Sequence, residues 1–141
     1  MPVDAKKENE EKKKYLWGYQ RAKRHLIRLE EELAEVRMGK LCPSVIQDGM
    51  PKASGGSDLS AYMSQVDDLE RKLVKARYKQ IRKLKEIRDR IERLEDDSEK
   101  DVLVYRYLRG MKWEDICVKM GYSWKQVHRF HSNGLKNFKM T

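Results

Sequence analysis

Tyr19, Ala22, Leu26, Leu29, Leu33 and Val36 follow one another at spacings of 3, 4, 3, 4 and 3. That alternation is a heptad seam, one apolar stripe along a helix, and few other folds accommodate it. It predicts a helix over roughly residues 8–38, with Gly39 as its stop. A second stripe follows in Leu59, Tyr62, Val66, Leu69, Leu73 and Ala76. It steps through Gln80 and Leu84, a four-residue insertion that locally unwinds a left-handed supercoil, before Ile87, Ile91 and Leu94 resume the heptad. Between the stripes, Pro43, Gly49, Pro51, Gly55 and Gly56 predict a loop over 39–57. Ser57 or Asp58 is placed to cap the second helix, over about 58–96. Two seamed helices joined by a loop predict an antiparallel, coiled-coil-like hairpin spanning residues 1–97. The same seams could pair between chains, and loop length does not choose.

The predicted fold class is all-α. Of the 141 residues, 39% are charged and 39% hydrophobic, too little apolar material for a large globular core but enough for amphipathic helices. The longest apolar run, Val102–Tyr105, is far short of a membrane span, and the first residues show no signal peptide. A cytoplasmic protein with reduced Cys42 and Cys117 is the expectation. The net charge is +9. Residues 71–93 carry 11 basic and 3 acidic side chains, a net of +8, and residues 98–141 carry 9 and 4, a net of +5. Charge segregated in this way suggests a polyanionic partner, with a solvated, salt-bridged helix surface as the alternative.

Beyond Glu95-Asp96-Asp97 the pattern changes to three short helical segments separated by single glycines, a second domain over 98–141. Residues 98–109 open with Ser98 as a cap and end at Gly110. Residues 113–120 put Trp113, Ile116, Cys117 and Met120 on one face. Gly121 stands where a tight turn between helices calls for positive φ. Ser123 then caps a third helix, 124–139, with Val127, Phe130 and Leu135 turned inward. A turn, a cap and a basic helix in this order have the form of a helix-turn-helix.

The run from Arg106-Tyr107 through Trp113-Glu114-Asp115-Ile116 and Met120-Gly121-Tyr122-Ser123 to Val127 resembles region 4 of sigma-70-type sigma factors. It is similar, too, to small phage-encoded regulators that join such a module to a helical half. The resemblance covers about residues 98–138. It implies a sequence-specific DNA-binding transcription regulator, encoded by a phage or mobile element, with the third helix in the major groove. It implies base reading by Trp124, Lys125, His128 and Arg129, and phosphate contacts from Arg106, Lys112, Trp113, Ser123 and Lys136. The implied partners are double-stranded DNA, RNA polymerase and a second copy of the chain.

The chain departs from the family at several points. Lys112 stands where a capping Ser or Thr is usual, and Gly134 replaces an Ala, which weakens the late helix by roughly 1 kcal/mol. The reading positions also differ from those of housekeeping sigma factors, which alters the preferred sequence. No segment resembles region 2, so a regulator is expected rather than a self-sufficient sigma factor. The alternative function is an adaptor that binds polymerase or another regulator without reading DNA. No catalytic constellation is visible, so an enzyme is not expected. His128 and His131 lack a third ligand nearby, so neither a metal nor a cofactor is expected. Tyr15, Trp17 and Tyr19 are expected to pack together at the end of the hairpin.

Overall fold

The computed structural model describes residues 2–39 and 55–141, and among these every regular element is helical, with no strand. The helices are α1 (Pro2–Leu16), α2 (Gly18–Arg37), α3 (Gly55–Glu92), α4 (Asp97–Leu103), α5 (Trp113–Met120) and α6 (Trp124–Asn137). A π-helical turn, Val104–Leu108, continues α4. No helix is long and apolar enough to cross a membrane, among the described residues.

The chain forms two compact units, one from residues 1–22 with 81–141 and the other from residues 23–80. The boundary expected at residue 97 therefore falls inside the first unit, and Gln80, the seam insertion, closes the second. The expected loop and Cys42 lie largely outside the described residues.

In the second unit the two seams do what their spacing dictates. Leu26, Leu29, Leu33 and Val36 of α2 are buried in one cluster with Leu69, Leu73 and Ala76 of α3. Ion pairs join Arg37 to Glu70 and Arg77 to Glu30 at the cluster's edge. Leu59, expected on the seam, is 52% exposed, since the seam's neighbours begin only at Tyr62 and Val66. Helix α3 starts at Gly55, so Ser57 and Asp58 lie within its first turn instead of capping it.

The first unit is built around a core of Leu16, Ile87, Ile91, Val102, Leu103 and Tyr107, joined by Ile116, Val127, Leu135 and Phe138. The predicted helix 8–38 is interrupted at Trp17, which separates α1 from α2. Tyr15, Trp17 and Tyr19 all pack on this core. The Trp17 ring meets Tyr107 edge-on at 4.8 Å, and Tyr15 meets Phe138 at 6.0 Å. Tyr15 also donates to Glu86 at 2.6 Å. Burial and that bond raise the phenol's pKa, and the bond holds the carboxyl of Glu86 below the usual carboxylate range.

Three helix stops follow the glycines, with positive φ at Gly39 (78°), Gly110 (66°) and Gly121 (73°). The cap of α4 is Asp96, not Ser98: its Oδ1 accepts from the Glu99 amide at 3.0 Å. Ser98 sits two residues further on, within the first turn. Helix α5 begins at Lys112 without a side-chain acceptor.

Candidate nucleic-acid interface

Helix α6 is fixed at its start by local chemistry. Cys117 O accepts from the amides of Gly121 and Tyr122 at 2.9 and 3.2 Å, closing the end of α5 through the left-handed glycine. Two residues on, Ser123 adopts extended backbone, and its hydroxyl accepts from the Gln126 amide at 3.3 Å. Val127, His131, Gly134 and Leu135 form the buried face of the helix. Phe130 is partly buried and packs edge-on against Tyr122 at 5.0 Å.

Of the four predicted base readers, three are exposed: Trp124 (51%), Lys125 and Arg129. His128 is not offered in the same way. Its ring lies between Trp113, at 4.3 Å, and Trp124, at 4.5 Å. Its Nε2 is buried with no hydrogen-bond partner in the protein. His128 is thus a packing wedge that holds the first turn of α6 against the start of α5. Arg129 leans over Phe130, with its guanidinium carbon 5.8 Å from the ring centre.

The predicted phosphate contacts divide similarly. Lys112, Ser123 and Lys136 are exposed. Lys112 precedes Trp113, whose contact with His128 brings the start of α5 beside the first turn of α6. Lys136 sits about 18 Å further along α6 than Trp124, at a rise of about 1.5 Å per residue. Trp113 is half-buried within the aromatic stack. Arg106 is committed inward: its Nη1 donates to Met111 O at 2.9 Å, and its guanidinium carbon lies 5.2 Å from the Trp17 ring and 4.7 Å from the Trp113 ring. Its remaining N–H groups are all it could turn to a phosphate.

A histidine–tyrosine pair lies beneath this surface. His131 is 7% exposed, and its Nε2 is 2.7 Å from the Tyr107 hydroxyl. Burial chiefly, with Lys13, His128 and Arg106 adding positive charge, pushes the imidazole down to about 4. Burial also raises the phenol of Tyr107. The pair is therefore a hydrogen bond between a neutral imidazole and a protonated phenol.

Two residues the sequence did not single out brace the module from α1 and α2. Lys12, 5% exposed, donates to Leu135 O at 2.8 Å and Lys136 O at 3.4 Å, and pairs with Glu8 at 3.2 Å. It thereby caps the last turn of α6, whose carbonyls have no helical partner. Gln20 does the same for the π-helical turn, donating to Tyr107 O at 3.2 Å and Leu108 O at 3.0 Å. Neither position belongs to a motif, and nothing in a lone Lys or Gln on a charged helix signals a partner so distant in sequence.

Among the described residues no group of three or more His, Cys, Asp or Glu side chains could hold a metal ion. Cys117 is a free, half-buried thiol.

The fold and this surface define an all-helical protein that presents an exposed Trp, Lys and Arg on the first turns of a braced, capped helix. Residues 39–138 match the family described as "Protein of unknown function (DUF1492)", and the chain belongs to that family. No curated protein and no solved structure matches the chain.

Proposed function

We propose that this protein is a sequence-specific DNA-binding transcription regulator that reads the major groove through α6. The observation that carries the reading is the joint exposure of Trp124, Lys125 and Arg129 on the first two turns of a helix whose start is fixed by Gly121, Ser123 and the aromatic stack. In this reading α5 and α6 act as a helix-turn-helix of the sigma-70 region 4 kind, as the resemblance implies, and phage or mobile-element origin goes with it. Arg129 pairs with a guanine edge, Lys125 reaches a base or phosphate, and Trp124 meets a thymine methyl or the backbone. Lys112, Ser123 and Lys136 contact phosphates on either side. His128 and Trp113 support the readers from behind, and Arg106 ties that support to Trp17.

The hairpin belongs to the same proposal. The pairs Arg37–Glu70 and Arg77–Glu30 run in opposite senses, so rising numbers on α2 meet falling numbers on α3, which supports an antiparallel pair closed within one chain. The adaptor reading has one observation in its favour: Val118 on α5 is 83% exposed and Tyr122 is 44% exposed, an apolar area that DNA does not need.

Selection of bound duplexes from a random pool, at physiological salt with non-specific competitor, separates the two. A single enriched motif, with Arg129→Ala losing about 1–3 kcal/mol of discrimination at one base, supports the regulator. Binding that is blind to sequence and fades steeply with salt sinks it and leaves the adaptor.

A further inference from the structure

In the regulator reading, DNA contacts fall at both ends of α6 and none in its middle. At about 100° per residue, Lys125, Arg129, Ser132, Asn133 and Lys136 lie within an arc of about 100°, and all of them are exposed. Val127, His131, Gly134 and Leu135 occupy the opposite, buried side. Ser132 and Asn133 therefore sit on the stretch of the same face that joins Arg129 to Lys136. Ser132-Asn133-Gly134 is a run of poor helix formers inside a helix that continues unbroken to Asn137. Gly134 has a packing reason, since it lies close against Leu103 and Glu99 of α4. Asn137 has one too: its amide donates to Glu99 Oε1 at 2.7 Å. Asn133 has neither, being exposed and joined by no side-chain hydrogen bond to another described residue. A residue that weakens its helix, stands on backbone held from behind and leaves its amide unused answers to something outside the chain.

The carboxamide narrows what that is. Phosphate oxygens only accept hydrogen bonds, so a phosphate would use the donor half of the amide alone. The major-groove edge of adenine offers the N6 donor beside the N7 acceptor, and an Asn side chain meets both at once, as a guanidinium meets guanine. Asn133 lies four residues beyond Arg129, about 6 Å along α6, which corresponds to about two base steps of roughly 3.4 Å. We infer, on the regulator reading above, that Asn133 is a further specificity-determining residue, taking an adenine about two base pairs from the guanine paired with Arg129.

Selection of duplexes from a random pool, run on the full chain as wild type, Asn133→Ala, Asn133→Gln and Arg129→Ala, tests this. The wild-type motif is expected to carry an A·T pair about two positions from the pair whose identity Arg129→Ala loses. Asn133→Ala is expected to keep the rest of the motif and accept any base at that pair, with discrimination there falling about tenfold or more. Asn133→Gln, which offers the same donor and acceptor, is expected to keep the adenine preference. Alanine is the better helix former, so Asn133→Ala should show a thermal midpoint at or above the wild type's by circular dichroism, a rise that a merely structural role would not produce. A motif that depends on Arg129 but is unchanged in Asn133→Ala overturns the inference and leaves the regulator reading standing. Equal weakening on all sequences overturns it as well, because that is the signature of a phosphate contact. A wild type that enriches no motif sinks the regulator reading, and this inference with it.

Discussion

Gly121 and Gly134 are thirteen positions apart and call for opposite predictions. At Gly121 nothing lies within 4 Å of an added Cβ, but φ is +73°, a conformation that L side chains resist. Gly121→Ala should destabilise the protein by about 1 kcal/mol through backbone strain alone. Gly134 has ordinary helical backbone, and an added Cβ would stand 3.4 Å from Leu103 Cγ and 3.5 Å from Glu99 Cβ, at contact without overlap. Gly134→Ala should therefore stabilise by up to about 1 kcal/mol, the helix-propensity difference, since nothing needs to move far. Urea unfolding of the two variants measures both signs. A loss at position 134 would mean that α4 and α6 are too close for a methyl group.

At the scale of elements, α6 is held at both ends by different means. Its start is capped locally by Ser123 and its end by Lys12, across 123 positions of sequence. Replacing Lys12 by Met keeps the stem and removes the donor, leaving the Leu135 carbonyl short of its partner. The expected loss is about 1–3 kcal/mol, with faster amide exchange in the last turn of α6. Unchanged exchange there would show that the cap contributes nothing. This clasp explains why the elements were more legible than their grouping. Seam positions from Ala22 to Ile91 could be read because periodicity is a local signal, and Gly39, Gly110 and Gly121 because positive φ has few other owners. Asp96 and Ser98 are equally good caps by type, so the start of α4 was misplaced by two residues. Trp17, Lys12 and Gln20 act on residues about 90 to 124 positions away, and no local pattern encodes such contacts.

For the molecule as a whole, the buried His131–Tyr107 pair sets a pH dependence. His131 has its folded-state pKa at about 4, below its ordinary 6.5, so protons bind the unfolded chain more readily. The contribution is therefore fully present above about pH 6.5 and is lost as pH falls through about 4, amounting to roughly 3 kcal/mol at most. Unfolding free energies measured between pH 7 and 4.5 should show this slope, and His131→Phe should flatten it even though its own stability is lower. An equal slope in the variant would assign the acid limb to carboxylates. The candidate reading surface was partly legible on the same grounds. Trp124, Lys125 and Arg129 are exposed on the first two turns of α6, whereas His128 packs between two indoles, Trp113 and Trp124, a stacking site that sequence spacing cannot reveal.

That stack runs Trp17, Arg106, Trp113, His128, Trp124, and it contains all three tryptophans of the chain. Tryptophan emission from the unlabelled protein consequently originates from a single column, with the Trp124 indole open to solvent and Trp17 and Trp113 half-buried. Whatever approaches the start of α6 perturbs Trp124 first, and whatever loosens the junction of α1 and α2 perturbs Trp17 at the other end. The molecule thus carries a built-in optical gauge along the line that joins its amino-terminal brace to the start of α6.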